Sequence, residues 1–138
     1  MIPSSTAASG AAPDGPVYML NVLWFAADDG RATYSRYASA AMPLLHRAGA
    51  RVVEMLVPVA DVIGEFGADA VFVVEWPSWE VFERTVGSAE YQDIAKLRER
   101  ALERSLLVRC ARPPAGPLFG ALDAGASAAA GSDAADSD

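Results

Sequence analysis

The chain has 138 residues, enough for one domain, and a net charge of −7 from eleven basic and eighteen acidic residues. No stretch is basic, which argues against nucleic acid and membrane surfaces as partners. The one cysteine, Cys110, excludes an internal disulfide and a cysteine-based zinc site within one chain, which favours a cytoplasmic location.

The two ends differ in composition from the middle of the chain. Residues 1–15 and 111–138 are rich in Ala, Gly, Ser and Asp, and such segments bury too little apolar surface to offset the entropy of ordering them. We therefore predict disordered ends around one folded domain, residues 16–110.

The spacing of apolar residues and the positions of Gly and Pro predict seven helices and strands within the domain. In chain order these are a strand at 17–25, a helix at 31–48, strands at 51–59 and 70–76, helices at 79–86 and 89–104, and a strand at 105–110. Ser78 and Ser88 are the expected N-caps of the two later helices, and Gly49 is the expected end of the first. Pro43 predicts a kink in that first helix, and Pro58 favours an edge position for the second strand.

The order β-α-β-β-α-β is the ferredoxin-like pattern, an α+β fold with a four-stranded antiparallel sheet and the helices on one face. The first and third strands, VYMLNVLWF and AVFVVEW, are nevertheless apolar at both parities. In an antiparallel strand with one face in solvent, apolar and polar side chains alternate. These two strands do not, so the face of the sheet away from the helices must also be covered. We expect a homodimer in which two sheets face each other as a dimeric α/β barrel, whose interior can hold a small-molecule pocket.

Several segments of the predicted domain, taken together in chain order, resemble a bacterial family catalogued as domain of unknown function 1330. The most recognisable are Glu75-Trp76-Pro77-Ser78 and the S-x-E-Y-x-x-I-x-x-L-R segment from Ser88 to Arg98. The resemblance covers about 17–110 and implies the dimeric α/β-barrel superfamily. That superfamily includes cofactor-independent monooxygenases, cyclases, isomerases, haem enzymes and binding modules, and the family itself implies no one activity. Trp24 and Lys96 depart from the basic residue and the His that are common in the family.

Three polar residues are the candidate catalytic groups. Asn21 lies in a buried strand, where an amide can stabilise an enolate-like oxygen or can be a core residue bonded to backbone. Glu75, at the end of a central strand, is the candidate general base, with a structural ion pair as the alternative. Arg98 interrupts an apolar helix stripe and is the candidate anion clamp, or else the partner of a nearby carboxylate.

Five further residues are expected to bind substrate: Trp24, Trp76, Tyr91, Tyr37 and His46. The two tryptophans suit a flat apolar ligand or, equally, interface packing. Tyr37 has helix packing as its simpler interpretation, and His46 favours the negative end of its helix. As the one histidine, His46 also argues against haem and against a mononuclear metal site, so we expect no cofactor.

These features predict a small cofactor-independent enzyme acting on an aromatic or polyketide-like metabolite, in bacterial secondary metabolism. The reaction would be proton abstraction next to a carbonyl, leading to cyclisation, isomerisation or oxygenation. The alternative is a non-catalytic ligand-binding or interaction protein of the same fold.

Overall fold

A computed structural model describes residues 15–124. Its elements, in chain order, are β1 (Val17–Phe25), α1 (Gly30–Arg47), β2 (Arg51–Leu56), β3 (Ala70–Trp76), α2 (Trp79–Val86), α3 (Ala89–Ala101) and β4 (Leu102–Cys110). Every predicted element is present, in the predicted order. The expected segment 1–14 and the end of the tail, 125–138, lie outside the described residues.

The four strands form one antiparallel sheet in the order β2-β3-β1-β4, which is the ferredoxin-like topology. β1 is central and pairs with β3 and β4 along its length. β2 is an edge strand, as Pro58 predicted, although it ends at Leu56 and its irregularity lies between Val52 and Glu54. This arrangement gives the sheet two unpaired edges, β2 and β4.

Local signals fix where the helices begin and end. The Ser78 and Ser88 hydroxyls accept hydrogen bonds from the backbone N–H groups of Val81 and Tyr91, which confirms both predicted N-caps. Gly49 follows α1 with a φ of 89°, a conformation that favours glycine. α1 continues through Pro43.

The first residue of α1 is packed tightly. A Cβ on Gly30 would lie 2.7 Å from the carbonyl oxygen of Ala101, so the absence of a side chain lets α1 approach the end of α3.

The side chains of β1 divide between the two faces of the sheet. Val17, Met19 and Leu23 pack into one core with the helices, and Asn21 points to the same side of the sheet. The opposite face bears Leu20 and Val22 and is not covered by a helix. The sequence therefore predicted correctly which side chains of β1 share a face of the sheet. The odd-numbered side chains face the helices.

Two further features differ from the sequence prediction. β4 begins at Leu102, because α3 ends after Ala101 and the chain pairs with β1 immediately. Residues 117–124 form a short helix where composition alone predicted no regular structure. In the part of the chain that is described, no helix is both long and apolar enough to cross a membrane.

Candidate functional site

A cavity of about 850 Å³ lies between the helices and the sheet. Its floor is the helical face of the sheet, including Met19, Phe72 and Val74, and its walls come from α1, α2 and α3. Small side chains on the inner helix faces, such as Ala38 and Ala41, leave this space. This cavity is therefore on the helical side of the sheet, on the face opposite to the one that the expected barrel would enclose.

The polar groups of the cavity include Asn21 and Arg98. The amide nitrogen Nδ2 of Asn21 donates to the carbonyl of Met19 at 3.1 Å, so the buried amide is held by its own strand. The Nη2 atom of Arg98 is buried and has no hydrogen-bond partner among the described residues. None of the ion pairs within residues 15–124 includes Arg98. A buried guanidinium nitrogen without a partner is costly, since most buried donors are paired.

Tyr34 and Tyr37 lie close enough to this guanidinium for its charge to act on both phenols, and Tyr91 is bonded to Tyr37. The hydroxyls of Tyr37 and Tyr91 are hydrogen-bonded to each other at 2.8 Å. Burial raises the pKa of Tyr34 to about 12, although the charge of Arg98 and a hydrogen bond from its guanidinium to the Tyr34 hydroxyl oppose the rise. Burial also raises the pKa of Tyr37, with Tyr91 adding to the effect. Both phenols are therefore neutral at physiological pH and can donate hydrogen bonds rather than accept a proton.

Glu75 lies on the other face of the sheet. It pairs in register with Tyr18 and Arg51, and the Nε atom of Arg51 lies 2.9 Å from its Oε1. The hydrogen bond from Arg51 lowers the pKa of the carboxyl, and Tyr18 lowers it further. An ionised carboxylate with a lowered pKa, separated from Asn21 by the sheet, is a poor general base for this cavity. Asn21 and Glu75 therefore cannot act on the same ligand in this cavity, contrary to the expectation that both are catalytic.

The structure brings together some of the expected binding residues and separates others. Tyr37, Tyr91 and Trp76 line the cavity. Trp24 lies on the uncovered face, with the Arg104 guanidinium 4.3 Å from its ring centroid. His46 is exposed near the end of α1 and does not line the cavity. Trp24 and His46 therefore lie outside this cavity, contrary to the expectation that they bind its ligand.

Two carboxylates that line the cavity were missed by sequence reasoning. Glu83 on α2 and Glu99 on α3 line the cavity, and both side chains are largely exposed. The adjacent position of Glu99 and Arg98 was the only available signal. Within residues 15–124, no group of three or more His, Cys, Asp or Glu side chains is placed to hold a metal ion.

Comparison with known proteins gives a family and a fold. The family model described as "Domain of unknown function (DUF1330)" matches residues 18–109. No curated protein matches the chain.

Solved structures with a similar fold include one that is 30% identical in sequence to this chain. It is described as the RPA0582 protein of unknown function from Rhodopseudomonas palustris, with a TM-score of 0.66, covering 75% of this chain and 85% of that one. A hydroxynitrile lyase from Passiflora edulis is 13% identical, with a TM-score of 0.60 over 76% of this chain and 100% of its own. An uncharacterised NIPSNAP domain protein from Burkholderia xenovorans is also 13% identical, with a TM-score of 0.52 over 73% and 98%. At such identities the last two show the fold alone.

Proposed function

The chain belongs to the DUF1330 family, whose description assigns no activity, and from the geometry of its cavity we propose that it binds an apolar, aromatic or polyketide-like metabolite through one anionic oxygen. The protein then promotes proton transfer next to a carbonyl of that metabolite without a bound cofactor. The single observation that carries the proposal is that the guanidinium of Arg98 lines a largely apolar cavity and takes part in none of the ion pairs within residues 15–124.

The charge on Arg98 selects the chemical class of the ligand. A guanidinium holds carboxylates and enolates by charge-assisted hydrogen bonds, and it does so most strongly where water is excluded. Met19, Phe72, Val74 and Trp76 supply an apolar surface that suits a flat hydrocarbon body. The cavity volume of about 850 Å³ lies within the range of drug-sized ligand sites.

The remaining groups support stabilisation of an enolate. Arg98 and the neutral tyrosine hydroxyls are donors, and preorganised donors favour a developing oxyanion. Asn21 lies in the same cavity and adds an amide. Proton abstraction also needs an acceptor, and with Glu75 on the opposite face the cavity-lining carboxylates are Glu83 and Glu99.

A second candidate function is binding without turnover. The excess of donors over acceptors at the inner end of the cavity favours it, since Glu83 and Glu99 are both exposed. In that case Arg98 and the tyrosines hold an acidic ligand, and no group removes a proton from it.

We also propose a cytoplasmic homodimer that uses the uncovered face of the sheet. That face carries half-buried Leu20 and Val73 beside buried Val22, and exposed Leu106 and Val108 continue it onto β4. An apolar sheet face of this kind needs cover, and a second copy supplies it without any other partner. Light scattering of the eluting protein at micromolar concentration tests this, and a monomer would remove the dimer from the proposal.

Phenylpyruvate is a suitable probe for turnover, because it combines an aromatic body, a carboxylate and an enolisable carbonyl. The assay is exchange of its methylene protons in D₂O, followed by NMR. We expect the protein to accelerate the exchange and Arg98→Met to abolish the acceleration. Glu83→Gln and Glu99→Gln, compared with the exposed control Glu80→Gln, identify the base. Binding of phenylpyruvate with exchange at the uncatalysed rate would favour the binding function over catalysis.

A further inference from the structure

The connection between β2 and β3, residues 57–69, exposes aliphatic side chains to an unusual degree. Val59, Val62 and Ile63 are 94%, 94% and 96% exposed, and Val57 also faces solvent. Single exposed apolar residues are ordinary, but a contiguous group of them marks an interaction surface.

This loop is held firmly at its base. The Asp69 backbone N–H donates to the Leu23 carbonyl at 2.8 Å, and Oδ2 of Asp69 accepts from the backbone N–H of Phe25 at 2.8 Å. The Phe66 ring packs edge-on against Trp24, with ring centroids 5.9 Å apart. Because Trp24 lies on the uncovered face, the loop is anchored beside that face.

The unpaired edges limit where a second copy can place this loop. A two-fold axis parallel to the strands sets β2 of one copy beside β4 of the other and keeps corresponding strand ends together. The loop begins at the end of β2 that is level with Leu23 of β1. Arg104 of β4 pairs in register with Trp24, at that same end. Such an axis therefore brings the loop of one copy to Arg104 of its partner.

The charges on the two segments are complementary. The loop carries exposed Asp61 and Glu65 beside its aliphatic side chains. Arg104 is exposed on β4, and none of the ion pairs within residues 15–124 includes Arg104 or Glu65. Opposite charges that face each other across an interface fix its register.

We propose that residues 57–69 form an arm that packs on β4 of a second copy of this chain, with Val59, Val62 and Ile63 buried there and Glu65 facing Arg104. This inference rests on the homodimer proposed above.

The test measures the dimer dissociation constant by analytical ultracentrifugation of the full chain. Ile63→Asp, at a position that is almost fully exposed, leaves the fold intact, which far-UV circular dichroism verifies. We expect Ile63→Asp and Arg104→Glu each to weaken the dimer by at least about 10-fold, since an unpaired or like charge is costly in an interface. The double variant Glu65→Arg with Arg104→Glu restores the affinity. Ala40→Asp, on an exposed position of α1, is the matched control and changes nothing.

The outcomes separate the arm from the dimer. A dimeric wild type whose affinity is unchanged by Ile63→Asp would overturn the arm and leave the dimer in place. An arm variant that dissociates the dimer while the double charge exchange fails to restore it would overturn the placement on β4. A monomeric wild type would overturn both, without bearing on ligand binding in the cavity.

Discussion

Replacement of Arg98 by Met is expected to stabilise the ligand-free protein. A buried donor without a partner costs about 1–3 kcal/mol, and Met retains much of the aliphatic volume while removing the charge. The substitution also removes the favourable interaction between Arg98 and Tyr34, which reduces the expected stabilisation. We therefore expect the free energy of unfolding to rise by about 1–2 kcal/mol, which corresponds to several degrees in Tm for a domain of this size.

The measurement is urea unfolding at one fixed protein concentration, since association shifts apparent stability. Arg84→Met is the matched control, because that guanidinium is exposed on α2 and, among the described residues, forms one ion pair, with Glu80 at 3.5 Å. Exposed pairs of this kind contribute little, so the control should change stability by less than about 0.5 kcal/mol. A loss of more than about 1 kcal/mol in Arg98→Met would refute the reasoning, because it would mean that the guanidinium is satisfied in the ligand-free protein.

Three further predictions concern single groups. Tyr91→Phe removes the hydroxyl bonded to Tyr37 and should lower the free energy of unfolding by about 1–2 kcal/mol in urea; no loss would mean that the bond is not formed. Gly30→Ala places a Cβ 2.7 Å from the Ala101 carbonyl oxygen and should destabilise by about 1–3 kcal/mol despite the better helix propensity of Ala, whereas a higher Tm would contradict the packing. The lowered pKa of Glu75 means that its contribution to stability is present above the unfolded-state value near 4.5 and is lost as pH falls through the lower folded-state value. Glu75→Gln should accordingly be less stable than wild type above pH 5, with the difference shrinking on acidification; a constant difference would contradict the shift.

The sequence predicted the fold well because the relevant signals are local. The apolar run of β1, the Ser caps of α2 and α3 and Gly49 after α1 each act within a few residues. The prediction failed where a boundary depends on distant packing, as at Leu102, which pairs with β1 as soon as α3 ends.

The candidate site was predicted less completely. Asn21, Arg98, Tyr37 and Tyr91 meet in the cavity, but neither face of β1 was identifiable as the helical side from its own residues, because both are apolar. Glu75 was misplaced for the same reason. Its parity relative to Asn21 depends on the β1–β3 register, in which Tyr18, and not an odd-numbered residue, lies opposite Glu75.

The central claim, that Arg98 receives the anionic group of an apolar ligand, is tested most directly by calorimetric titration with phenylacetate and with its uncharged analogue phenylacetamide. The two probes share shape and apolar area and differ in charge. We expect wild-type protein to bind the carboxylate at least about 10-fold more tightly, since hydrogen bonds to charged groups contribute about 1.5–3 kcal/mol, and Arg98→Met to lose that preference. Equal affinity of the wild type for the two probes, or a preference that survives in Arg98→Met, would contradict the claim.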